Sequence, residues 1–194
     1  VLADLEDAER AASIGEEAIG RVRINTSASY ATHILAPLLP DFLARHPGVT
    51  LDIVQTDAVV DLLAERMDVA IRAGPLKSSS LVAHDRLGFG YARAVDGWAL
   101  CENGKAVVVP ATGRVQVSDG EALRQLALSG VGLARLAAFT VRDDIAAGRL
   151  VPVLGHLVSG DPEPFHAVYV GQGGPLPSRV RALLDFLARY GRVA

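Results

Sequence analysis

A chain of 194 residues, 50% hydrophobic and 21% charged, is long enough for one substantial core or two small lobes. Its net charge of −3 and pI of about 5.9 argue against a nucleic-acid grip by these residues, since phosphate neutralisation needs a basic excess, and 5% aromatics leave little for a base-stacking platform. The single cysteine, Cys101, excludes an internal disulfide and a cysteine-rich zinc site and fits a reducing cytoplasm; mean hydropathy is high at +0.29, yet no apolar run approaches a membrane span and no basic-then-apolar leader opens the chain.

Residues 1–13 read as a helix whose narrow stripe of Leu2, Leu5, Ala8 and Ala12 wants a partner. After Gly20, the alternation in Arg21-Val22-Arg23-Ile24-Asn25 predicts a strand. Thr26-Ser27-Ala28-Ser29 then opens a helical pattern carrying Ile34, Leu35, Leu38, Leu39, Phe42 and Leu43, divided at Pro37 and Pro40 and stopped by His46-Pro47-Gly48. A second strand covers 49–54. Asp57 is placed to cap a helix over 58–66, and a third strand covers 68–72 before Ala73-Gly74-Pro75. The order β-α-β-α-β predicts a parallel sheet covered by helices.

A second set of elements follows. Strands are expected at 107–109 and 114–117, and Ser118 with Glu121 forms a capping box for a helix reaching Leu128. Residues 130–136 read as a short buried strand, Thr140 and Asp143 start a helix that Gly148 ends, and 150–154 and 166–170 read as strands. The last helix, 178–190, carries Val180, Leu183, Leu184 and Leu187 on one face.

Little of this carries catalytic chemistry. Gly171-Gln172-Gly173-Gly174 lacks the third glycine of a dinucleotide fingerprint, since position 176 is Leu176, and reads as a plain turn. The histidines show no metal-ligand spacing, Asp143-Asp144 sits where carboxylates cap a helix, and Cys101 has no activating neighbour in sequence. The hydroxyl cluster at 26–29 differs: it lies at the carboxyl end of a parallel strand and opens a helix, where bare amides suit a carboxylate or phosphate. Arg72-Ala73-Gly74 and Ser118-Asp119 mark two further such ends.

With these residues in view, the chain resembles the effector domain of LysR-type transcriptional regulators. The likeness rests on the strand and hydroxyl-rich helix start, on LAPLLPDFLARHP at 35–47 and on DVAIRAG at 68–74. It resumes at 118–136, 143–154 and 175–190, while 1–13 resembles the end of the family's linker helix.

The resemblance implies an α/β fold like the type 2 periplasmic binding proteins: two Rossmann-like lobes joined by crossing strands, with a small effector, often an acid, between them. It divides the chain into a linker end and connector (1–19), a first lobe (20–83 with 171–194) and a second (84–170). It would bring Thr26, Ser27, Ser29, Arg72 and Gly74 to the effector from the first lobe, and Ser118, Asp119, Leu133 and Phe139 from the second. It implies no cofactor, no catalytic residue and no metal. The expected partners are a small effector, further copies of the chain as dimer or tetramer, and DNA reached only through a winged helix-turn-helix preceding residue 1, in a cytoplasmic protein. One departure stands out: Leu81-Val82-Ala83 runs straight into His84-Asp85-Arg86, where the family carries a few dozen more residues, including the first strand and helix of the second lobe. A free-standing solute-binding protein, an enzyme on the same fold and a regulator with a self-filled cleft are the competing readings.

Overall fold

The computed structural model describes residues 17–58, 60–74, 81–86, 98–109, 115, 117–157, 165–170 and 175–193. Strands β1 (Gly20–Thr26), β2 (Val49–Gln55), β3 (Val69–Ala73), β4 (Leu81–Arg86) and β7 (Phe165–Val170) form one sheet in the order β2-β1-β3-β7-β4. β5 (Trp98–Glu102) and β6 (Lys105–Val109) form a separate antiparallel hairpin. β1 runs parallel to β2 from Gly20 opposite Val49 to Thr26 opposite Gln55, and parallel to β3 at Ile24 and Asn25. β7 lies antiparallel between β3 and β4, so the sheet is mixed. β4 continues across the Ala83–His84 junction, with a shift of register between His84 and Arg86.

One helical run follows β1: α1 (Ala28–Tyr30), a π-helical turn (Ala31–Leu35) and α2 (Ala36–Arg45). The prolines do not break it. Pro37 falls at the start of α2, where a missing N–H is tolerated, directly after the π turn, whose i→i+5 bond runs from Ala36 N–H to the Ala31 carbonyl. Of the expected stripe, Leu35 and Phe42 are buried, while Leu43 stays exposed.

The remaining helices are α3 (Gly120–Leu128), α4 (Ala138–Ala146) and α5 (Ser178–Tyr190). α5 has the bounds its periodicity predicts and buries Val180, Leu183, Leu184 and Leu187. They join Val22, Ile24, Tyr30, Leu35, Phe42, Val69, Ile71 and Phe165 in the main core. A smaller cluster of Leu62, Met67, Ala70 and Val168 lies on the other side.

Several sequence expectations fail here. Among the described residues, 58–66 hold only a turn at 62–66, and the side chain that caps it belongs to Asp61, not Asp57, accepting from Leu63 N–H at 2.9 Å. A short segment containing β-branched Val59-Val60 is a weak helix, and Arg66 at φ 51 closes the turn. Residues 130–136 and 150–154 are not strands, and Val131, Leu133, Val151 and Val153 are exposed. A buried strand needs hydrogen-bonded neighbours for both backbone edges, and none of the described strands pairs with these segments. Val115 and Val117 also lie outside any strand. The helix at 1–13 and the glycine turn at 171–174 lie outside the described residues.

Candidate functional site

The candidate site is built at the carboxyl end of β1. Asn25 and Thr26 are fully buried, because β2 and β3 flank β1 on both edges and the helical run returns over it. Asn25 donates from Nδ2 to the Val54 carbonyl at 3.2 Å, and its Oδ1 accepts from Arg72 on β3. Burial pushes the Arg72 guanidinium below its usual range, a shift the Asp57 carboxylate partly offsets. Thr26 Oγ1 is buried with no protein hydrogen-bond partner.

Ser27 has an extended backbone, and its Oγ accepts from Tyr30 N–H at 3.1 Å, so its hydroxyl is engaged in capping. Ser29 is buried in the first turn. Gly74, with φ 90, is buried and turns the chain at the end of β3, a left-handed conformation that glycine adopts without strain.

The α3 start differs from the expected capping box. Asp119, not Ser118, is the N-cap and accepts from Ala122 N–H at 2.8 Å; Ser118 is exposed. A carboxylate at this position is favoured by the helix dipole as well as by the hydrogen bond. Glu121 therefore does not reach back to the cap. Its Oε2 lies 2.9 Å from Nε2 of His33 in the π turn, and its Oε1 accepts from Arg124 at 2.7 Å. Arg124 continues to Asp144 on α4, whose other oxygen receives Arg149, both at 2.6 Å. Burial drives the Glu121 carboxyl up, but the hydrogen bonds from His33, Gln125 and Arg124 outweigh it and leave it below the usual range. Asp144 follows the same logic: desolvation is outweighed by hydrogen bonds from Arg149 and Arg124.

Phe139 on α4 packs edge-on against Phe165 (5.7 Å between centroids) and His33 (6.3 Å), and shares the core of Tyr30 and Leu35. Ser27 and Ser29 thus open the helical run that follows Thr26, Phe139 lies in the core cluster with Tyr30 and Ile24, and the first turn of α3 is reached through His33; Arg72 pairs with Asn25, whose side chain points to the opposite face of the sheet from that of Thr26. Leu133 is 67% exposed and joins neither core cluster. Asn25, His33, Glu121 and Arg124 escaped the sequence reading. None of them carried a local signal, since Asn25 only continues the polar positions of an alternating strand. No cluster among the described residues has the make-up to hold a metal ion, and none of their helices is long and apolar enough to cross a membrane.

A mixed α/β sheet with a helix start at the end of its parallel strand is the periplasmic-binding-protein-like arrangement of bacterial regulatory domains. The structure of CrgA from Neisseria meningitidis matches at a TM-score of 0.81 with 27% identity, over 96% of this chain and 74% of that one. The CrgA regulatory domain alone matches at 0.79 with 28% identity, over 89% of this chain and 99% of that one. A family model for the LysR substrate binding domain matches residues 15–88 and 86–192, and the chain belongs to that family.

In sequence, the HTH-type transcriptional regulator CrgA of N. meningitidis serogroup C is 31% identical over 200 positions, covering 87% of this chain and 66% of the relative. The chain therefore spans just under two thirds of the length of that relative. Because 200 aligned positions draw on only 87% of 194 residues, the relative carries a few dozen residues that this chain lacks. The two segments matched by the family model meet at 86–88, close to the Ala83–His84 junction.

Proposed function

We propose that this chain is the effector-sensing and self-associating part of a LysR-type transcriptional regulator, taking a small acid at the carboxyl end of β1 and acting on DNA through a winged helix-turn-helix elsewhere in the full protein. The observation that carries the reading is Thr26 Oγ1, a fully buried hydroxyl without a hydrogen-bond partner at the end of β1. Leaving such a group unsatisfied costs about 1–3 kcal/mol, which a carboxylate accepting its proton would recover. The helix start contributes amides with no acceptor inside the helix and the partial positive charge of its dipole. The division into lobes at 84 and 170 belongs to the same proposal; it leaves the second lobe without its first strand and helix, in keeping with the exposed segments at 130–136 and 150–154. The related proteins are transcriptional regulators, which favours a sensor over an enzyme.

Effector binding shifts an equilibrium only by its differential affinity for two arrangements. The test is a thermal-stability titration with small aromatic and aliphatic acids. An acid at 100 times its Kd raises stability by about 2.7 kcal/mol, and Thr26→Val abolishes the gain. If no acid shifts either protein, the sensing proposal fails.

A second reading, a regulator that answers to no effector, is favoured by Phe139, which fills the region between α4 and the sheet. On that reading the native chain binds no acid, and Phe139→Ala, by opening space, creates binding. Self-association is tested by sedimentation, where a dimer or tetramer is expected at tens of micromolar.

A further inference from the structure

His33 makes two contacts that nothing in the effector reading requires. Its Nε2 meets Glu121 at the start of α3, and its ring edge meets Phe139 near the start of α4. One side chain from the helical run over the sheet thus reaches both helices of the 118–157 segment. Those helices arrive as a pre-assembled unit: Arg124 links Glu121 to Asp144, and Arg149 closes on the same carboxylate, whose side chain is 1% exposed. Glu121 is therefore held in place before His33 meets it, so the pair forms with little loss of side-chain freedom. His33 sits in the five-residue π turn, a rare arrangement that occurs inside α-helices mostly as a single turn and often at functional positions.

Just before this turn lie Thr26, buried and unpartnered, and Ser27, whose hydroxyl caps Tyr30. We propose that the His33–Glu121 pair is a latch that keeps the β1 end occluded. His33 is then a positioning residue whose release lets α3 and α4 move away and exposes Thr26. The inference builds on the placement of the effector at Thr26 but is tested without any effector.

The experiment uses the whole chain in a Cys101→Ser background carrying Thr26→Cys, and follows the rate of modification by a small negatively charged methanethiosulfonate. The latched protein reacts slowly. Glu121→Gln, which keeps size but also weakens the Arg124 pair, and His33→Ala, which leaves that pair intact, each speed the reaction about tenfold, as expected for loss of one charged hydrogen bond. The double variant reacts no faster than the singles. A parallel probe, Val22→Cys, lies buried further back on β1 and stays slow in every background. Unchanged rates at position 26, additive effects, or equal acceleration at positions 22 and 26 would overturn the latch, the last by reducing His33 to a general stabiliser. Failure of every acid to bind would remove the effector reading and leave this result intact.

Discussion

The Tyr30 hydroxyl donates to the Gly191 carbonyl at 2.9 Å, tying the helix that follows β1 to the residue that ends α5, 161 positions away. The same oxygen lies 2.8 Å from where a Cβ on residue 191 would stand, and the Leu187 carbonyl lies 2.9 Å from it. Gly191 has an ordinary φ of −86, so its role is to leave room.

Gly191→Ala should therefore act through crowding and destabilise by about 1–3 kcal/mol. Tyr30→Phe leaves a buried carbonyl unpaired, at a similar ~1–3 kcal/mol. The double variant should fall short of the sum, because the phenol oxygen that obstructs the new methyl is gone. Urea unfolding of the four proteins decides it, and full additivity would contradict the contact.

Asp144 should govern acid stability. Its carboxyl is held below the usual range by Arg149 and Arg124 against the effect of burial. A carboxylate with a depressed native pKa stabilises the fold above its unfolded pKa, near 4, and that contribution disappears as pH falls through the native value. Asp144→Asn should lower the melting temperature at pH 7 and flatten its fall on acidification. An unchanged acid profile would show the two arginines to be incidental.

Phe139→Ala should cost about 3–5 kcal/mol, since the ring is buried and makes edge contacts with both Phe165 and His33. Phe139→Leu should cost much less. Equal losses would mean that aromatic geometry, more than volume, decides the site.

Gly104→Ala should loosen the β5–β6 hairpin alone. Its φ of 76 is left-handed and its surroundings are open, so the expense is conformational, roughly 1–2 kcal/mol. Faster amide exchange should appear in 98–109 and leave β1 untouched. Faster exchange throughout would contradict the hairpin's independence.

The elements legible in the sequence were those whose pattern is self-contained. The face of α5 and the alternation in β1 follow from local spacing, and the parallel pairing of β1 with β2 follows from the helix between them. Asn103-Gly104, both at positive φ, is an equally local hairpin signal and marks the turn between β5 and β6. At α3 the box was read one residue early, because Ser118 satisfied the pattern while Asp119 is the better acceptor. Residues 130–136 and 150–154 are strand-like by composition, but their state depends on neighbours that spacing cannot reveal. For the site, the hydroxyl run and Arg72 could be found from strand ends; His33 and Glu121, 88 residues apart, could not.

The antiparallel placement of β7 bears on how the molecule is made. The strand sits between β3 and β4, both of which leave the ribosome at least 79 residues earlier, so the nascent sheet waits with an unfilled slot in its middle. Until 165–170 emerge, β3 and β4 expose edges that invite pairing with another chain, and a message truncated before that point should yield an aggregating product.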